Sequence, residues 1–189
     1  VYTDGGCWPN PGGKMTVSII MLDGELVREN PIRIDFSKSK LSDDVSDLGV
    51  KYARLTAIDT RFGHIATDSS NNVAEYYALY YAACELEYIM KCVNGIEQIV
   101  VYSDSALLVN QMKGLWKAKE GNYIPVLRLA RGAIIDAGLD KIIEYVLVPR
   151  NRNVAGILLE KWQKTHISNI MITDDEFAFL ENDKINEQR

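Results

Sequence analysis

Three carboxylates stand in contexts that suit one shared chemistry. Asp4 lies in Val1-Tyr-Thr-Asp-Gly-Gly-Cys7, Glu75 in Asn71-Asn-Val-Ala-Glu-Tyr-Tyr-Ala-Leu79, and Asp104 in Ile99-Val-Val-Tyr-Ser-Asp-Ser105. The first and third each end a short apolar run that reads as a buried strand. The second falls in the first turns of a helical pattern. A fold that joins two strand ends and one helix start would gather all three around one point, an all-oxygen site of the kind hard divalent cations select. Taken singly, each residue has a plainer reading. Asp4 would begin a turn before two glycines, Asp104 would cap a helix opening at Ser105, and Glu75 would favour a helix N-terminus. The ordered trio favours the metal site.

The elements that must position these residues are strands first, then alternating helix and strand. Val1–Thr3 reads as a strand, followed by the Gly/Pro loop Cys7–Gly13. Met15–Leu22 is apolar and partly β-branched, and Asp23-Gly24 signals a hairpin into Glu25–Asn30. Ile32–Phe36 alternates in a way that suits an extension of this sheet. Ser37–Val50 is polar and reads as an insertion, and Leu55–Ala66 resumes a strand pattern.

From Val73 to Lys91 apolar residues recur at helical spacing, with Leu79, Ala82, Ala83, Leu86, Ile89 and Met90 forming the stripe. Gln98–Tyr102 then predicts a strand, Ala106–Met112 a short helix, and Ile124–Ala137 a helix with Gly138 as its C-cap. Lys141–Val148 alternates as a strand, and Val154–Ile167 predicts a last helix. Thr173-Asp-Asp-Glu176 is a capping-box pattern opening a short acidic helix. This order argues for one mixed α/β sheet flanked by helices.

Composition narrows the function classes. The 189 residues are 47% hydrophobic and 25% charged, the balance of a folded globular chain. No apolar run spans a bilayer and no secretory leader is visible, so the expected location is the cytoplasm. Cys7, Cys84 and Cys92 have no paired metal spacing and read as structural thiols in a reducing compartment. His64 and His166 complete no Ser/His/Asp or Cys/His order, and no phosphate-loop glycine pattern occurs.

The net charge of −5 is unevenly spread. Residues 1–104 carry nine Lys/Arg against fifteen Asp/Glu, residues 105–168 carry ten against five, and 169–189 carry two against six. A basic surplus thus follows Asp104, and local surplus of this kind governs polyanion binding.

Tyr2-Thr-Asp-Gly-Gly-Cys7, Asn71-Asn-Val-Ala-Glu75 and Val101-Tyr-Ser-Asp-Ser-Ala-Leu-Leu-Val-Asn-Gln111, in that order, resemble type 1 ribonuclease H. The likeness runs to about His166. It implies a ribonuclease H-like fold, a five-stranded mixed sheet with strands 1–3 antiparallel and helices on both faces. The implied domain is 1–168, with the insertion at about 37–50 and an acidic tail over 169–189. The implied activity is hydrolysis of the RNA strand of an RNA/DNA hybrid with two Mg²⁺ ions, Mn²⁺ serving as substitute. Two such ions activate a water, stabilise the phosphorane charge and assist the leaving oxygen. By this resemblance Asp4 bridges both ions, with Glu75 and Asp104 as further ligands.

The fourth acidic position departs from the family. Its usual pattern is a loop His, then an Asn, then an Asp four residues on. Here the segment is Val148-Pro-Arg-Asn-Arg-Asn-Val-Ala-Gly-Ile-Leu-Leu-Glu160. With Asn153 as anchor, Ile157 takes the Asp place, and Asn151 and Arg152 occupy the loop. Glu160, one turn further, is the candidate substitute ligand; its alternative is an ordinary exposed helix residue.

For the hybrid, the resemblance offers Asn71 and Asn72 as contacts and Ser70 as a hydroxyl for a DNA phosphate. The stretch Gln111–Lys119 mixes cations with an aromatic ring and suits a backbone-tracking surface. Lys113, Trp116, Lys117 and Asn122 are its candidate contacts. The alternative is a solvated lysine face with Trp116 packed in the core. Two other functions stay open: a module of this fold that binds nucleic acid or protein without cutting, and the nuclease domain of a larger protein such as a reverse transcriptase. Oligomeric state has no signal in the sequence.

Overall fold

Met15, Val17, Ile19 and Met21 alternate with Thr16, Ser18 and Ile20, and all seven are buried. A strand whose two faces are both covered must run through the middle of a layered structure. The computed structural model, which describes residues 1–22, 50–58, 68–92 and 95–166, bears this out. Its strands are β1 (Tyr2–Trp8), β2 (Lys14–Leu22), β3 (Val50–Ile58), β4 (Ile99–Ser103) and β5 (Ile143–Leu147). Its helices are α1 (Asn71–Cys92), α2 (Ala106–Met112), α3 (Ile124–Asp136) and α4 (Val154–His166).

The sheet order is β3-β2-β1-β4-β5. β1 to β3 form an antiparallel meander, while β4 lies parallel to both β1 and β5. This is the five-stranded mixed sheet expected from the sequence.

Alternation along β1 fixes where the helices sit. A Cβ placed on Gly5 would meet the α1 backbone at Ala74 and Glu75, 2.2–2.4 Å away. Its neighbour Asp4 faces Gly156 of α4 instead. Consecutive strand residues point to opposite faces, so α1 and α4 cover opposite sides of the sheet. On the α1 side, Met15, Val17, Ile19 and Met21 pack with Tyr76, Tyr77, Leu79 and, from α3, Val126 and Leu127. Each such buried side chain contributes roughly 1.5–3 kcal/mol of transfer free energy. On the other side Ile20 is buried, as are Val154, Ala155, Leu158 and Leu159 of α4.

Several expectations need adjustment. β1 does not end at Thr3. It continues through Gly5-Gly6 because those glycines pair with Val17 and Thr16 of β2, and Gly5 lets α1 approach closely. β3 begins at Val50, five residues before the expected Leu55, because β2 pairs with it from Leu22↔Val50 to Met15↔Ile58. α3 ends at Asp136, and Gly138 lies one position beyond its cap Ala137 with φ +69°. Leu139–Lys141 is a 3-10 turn, which delays β5 to Ile143. The Glu25–Asn30 hairpin strand, Ile32–Phe36, nearly all of the 37–50 insertion, His64 and the tail from 169 fall outside the described residues.

Candidate metal centre

Pairing between β1 and β4 is confined to Tyr2↔Tyr102, where the Tyr102 N–H donates to the Val1 carbonyl at 2.7 Å. β1 runs on to Trp8, while β4 stops at Ser103. Asp4 and Asp104 therefore stand where two adjacent parallel strands stop pairing and their connections leave to opposite sides. Such switch points are the usual ligand sites of open sheets. Glu75 comes from the second turn of α1. That helix is anchored by Ser70, whose Oγ accepts the Val73 N–H at 3.3 Å and whose carbonyl accepts the Ala74 N–H.

The three carboxylates offer oxygens that all lie within 4.8 Å of one another. The plainer readings of two of them do not survive this geometry. Asp4 sits inside a strand, not at a turn, and the cap of α2 is Ser105, whose Oγ accepts the Leu108 N–H at 3.3 Å.

Around the trio lie three residues from the β5–α4 connection and the first turn of α4. Arg150 directs Nη1 to Asp4 Oδ1 at 3.2 Å and to Asp104 Oδ2 at 2.9 Å. Asn153 donates from Nδ2 to the Thr3 carbonyl at 3.0 Å and to Asp104 Oδ1 at 2.5 Å. Gly156 brings bare backbone against Asp4, since a Cβ there would lie 3.2 Å from Oδ2. Asp4 Oδ2 and Glu75 Oε2 are buried without any hydrogen-bond partner.

The electrostatics follow from this crowding. Burial pushes the Asp4 carboxyl up from 3.8 to about 6, with Arg150 pulling it back and Asp104 pushing it further. Burial raises Glu75 well above the usual carboxylate range, and the charges of Asp4 and Asp104 add to that. Groups this close repel unless a cation joins them. The donor set fits a hard divalent ion. Opposite ligands across such an ion are separated by roughly 4–5 Å, twice a metal–oxygen distance of about 2.0–2.6 Å. The two orphaned oxygens would gain the partner they lack.

Glu160 is not part of this cluster. It stands exposed on α4, one turn beyond Gly156. Ile157 is half-buried, and α4 sends no carboxylate into the trio.

The candidate hybrid contacts separate into two groups. Ser70, Asn71 and Asn122 form a knot at the start of α1. The Asn71 Oδ1 accepts the Cys7 N–H at 2.8 Å, and Asn122 Nδ2 donates to the Asp68 carbonyl at 2.7 Å and the Ser70 Oγ at 3.4 Å. Asn72 is exposed beside them. Lys113, Trp116 and Lys117 follow α2; all three are exposed, and Trp116 at 49% exposure is not the core residue of the alternative reading. Trp116 and Lys117 line an open groove of about 490 Å³ with Leu107 and Tyr123.

A buried chain joins these parts. The Tyr76 hydroxyl donates to Gln111 Oε1 at 2.5 Å, and Gln111 Nε2 donates to the Tyr123 hydroxyl at 3.1 Å. Arg150, Asn153 and Gly156 are the site residues that sequence reasoning did not single out as contacts. The signal available was their place in the loop and helix start where the family pattern puts its fourth acid.

No family model matches the chain, and no curated protein matches it. Solved structures do resemble it. A ribonuclease H1 from compost, isolated by a metagenomic approach, superimposes with TM-score 0.61 at 23% identity, covering 88% of this chain and 95% of that one. The N-terminal ribonuclease H domain of a Mycobacterium tuberculosis protein gives 0.56 at 24%, covering 84% and 92%. The ribonuclease H1 of the halophilic archaeon Halobacterium salinarum gives 0.54 at 23%, covering 84% and 90%. With its sheet order and its helices on both faces, the chain has the ribonuclease H-like fold.

Proposed function

We propose that this protein is an endonuclease that hydrolyses the RNA strand of RNA/DNA hybrids with two divalent ions, Mg²⁺ by preference and Mn²⁺ as substitute. One observation carries the reading: Asp4, Glu75 and Asp104 converge at the open end of two strands, and two of their buried oxygens lack partners. These carboxylates would hold the ions, whose chemistry is activation of water and stabilisation of charge on the phosphorane and the leaving oxygen. Asn153 keeps Asp104 turned toward Asp4 by bonding it and the Thr3 carbonyl together. Glu160 is the proposed further ligand, although it stands exposed on α4 outside the cluster.

The substrate side of the proposal rests on the exposed polar and basic residues near the site. One similar structure, that of the compost enzyme, was solved in complex with an RNA/DNA hybrid. Here Asn72 and the Ser70–Asn71–Asn122 knot would meet one backbone, and Lys113, Trp116 and Lys117 would track phosphates. The proposed domain is 1–168, with 169–189 as an acidic tail. Among the described residues no helix is long and apolar enough to cross a membrane.

A second reading, a binding module that does not cut, has one observation in its favour. Arg150 lies on two of the three acids, and α4 supplies no fourth. The deciding experiment is cleavage of an end-labelled RNA annealed to DNA, with Mg²⁺ and then Mn²⁺. Wild type, Asp104→Asn and Glu160→Gln are compared. Cutting that disappears in Asp104→Asn establishes the nuclease, and the Glu160→Gln result decides the fourth ligand. Binding of the hybrid without cutting under either ion leaves the module.

A further inference from the structure

The oxygens of the acidic cluster are unequally free. Both oxygens of Asp104 are engaged, Oδ2 by Arg150 and Oδ1 by Asn153. Asp4 Oδ1 is engaged by the same Nη1 of Arg150. What remains without a partner is Asp4 Oδ2 and Glu75 Oε2, both on side chains more than nine-tenths buried. One half of the cluster is therefore already served by a cation of the chain itself, and the other half, where the carboxyls of Asp4 and Glu75 meet each other, has none.

Charge gives the same division. Three carboxylates and one guanidinium carry a formal charge that a single divalent ion balances. A second ion beside Arg150 would face a positive group that never loses its proton. No carboxylate of α4 enters the cluster to offset it, since Gly156 lies against Asp4 and Glu160 stands exposed.

We propose that Arg150 occupies one of the two cation places, so that the protein free of nucleic acid binds a single divalent ion, on Asp4 and Glu75. The second place opens only when Arg150 leaves Asp104. The guanidinium is 56% exposed and stands on a short 3-10 turn (Arg150–Arg152), so it can leave without disturbing the core. An incoming phosphate is the group with the charge and geometry to draw it away. The inference rests on the metal-binding part of the proposed function and specifies how many ions that site holds at rest.

The test counts ions, not turnover. Wild type, Arg150→Ala and Arg150→Lys are titrated with Mn²⁺ and no nucleic acid, using calorimetry and the electron paramagnetic resonance signal of free Mn²⁺. The expected result is one ion for wild type and for Arg150→Lys. Arg150→Ala should take two, its first bound on the order of tenfold more tightly as a like charge is removed. Circular dichroism verifies the fold, and Arg150→Gln replaces the alanine variant if that one unfolds. Equal stoichiometry and affinity in wild type and the neutral variant, whether one ion or two, would overturn the inference and leave the metal site standing. No ion bound by either protein would overturn both.

Discussion

Asp4 and Gly5 are neighbours on one strand, yet they face opposite kinds of environment. Gly5 looks onto α1 across a gap too small for a methyl group, within a side of the sheet packed with Met15, Val17, Tyr76 and Tyr77. Asp4 looks onto α4, and the polar atoms around it are buried but incompletely paired: Thr3 Oγ1, Asp4 Oδ2, Ser18 Oγ, Glu75 Oε2 and Asn153 Oδ1. Orphaned buried polar groups each cost about 1–3 kcal/mol. The packed α1 side therefore supplies stability that the polar cluster around Asp4 gives up, and that cluster, to which α1 itself contributes Glu75, has the unmet bonding capacity to offer a ligand.

Substitutions that act on one side alone would sharpen this contrast. The largest effect belongs to Asp104→Asn, which should lower hydrolysis of a labelled hybrid by on the order of a thousandfold or more, equivalent to about 4 kcal/mol in the barrier. Its urea unfolding midpoint should stay close to wild type.

Gly5→Ala is the opposite case. Its Cβ would sit about 2.2 Å from the carbonyl carbon of Ala74, and backbone cannot yield as a side-chain tip can. A loss of roughly 3 kcal/mol or more in unfolding free energy is expected. Wild-type stability in the Gly5→Ala protein would break the comparison.

The pH dependence of the ion-free protein comes next. Asp4 is raised from 3.8 to about 6, so the folded state holds that proton more tightly than the unfolded chain. Stability should therefore decline as pH rises from about 4 to about 6, by roughly 3 kcal/mol at most, and not recover above that. Glu75, raised further, extends the decline to higher pH. Thermal melts in chelator should show this slope, and saturating Mg²⁺ should flatten it.

Gly156→Ala should have the smallest effect on stability, within about 1 kcal/mol, because helix propensity favours alanine and the Cβ meets a movable carboxylate 3.2 Å away. Ion affinity should nonetheless fall severalfold, read by the same Mn²⁺ titration.

How much of this could be read from the chain differs by residue. Asp4, Glu75 and Asp104 could be, because each follows a recognisable local run: an apolar stretch before each aspartate and a helical pattern around the glutamate. The helices α1, α2 and α3 and strand β4 were readable from periodicity and turn residues to within a residue or two. The length of β1 was not, because Gly5-Gly6 reads as a turn until the register with Val17 and Thr16 is known. Arg150 was hidden for a similar reason: its ion pair with Asp4 spans 146 residues, and nothing local distinguishes it from Arg152. Trp116 could be assigned to neither core nor surface from composition, and the structure exposes it.

The buried chain Tyr76–Gln111–Tyr123 has a mechanical consequence. It links the helix turn carrying Glu75 to the wall of the groove that holds Trp116 and Lys117, through side chains fully or almost fully enclosed. The acidic cluster and the groove are thus mounted on one stiff frame. On the proposed function the molecule acts as a ruler. The spacing between the nucleotide held at the groove and the bond that is cut should be constant from one hybrid to the next, whatever the sequence threaded through it.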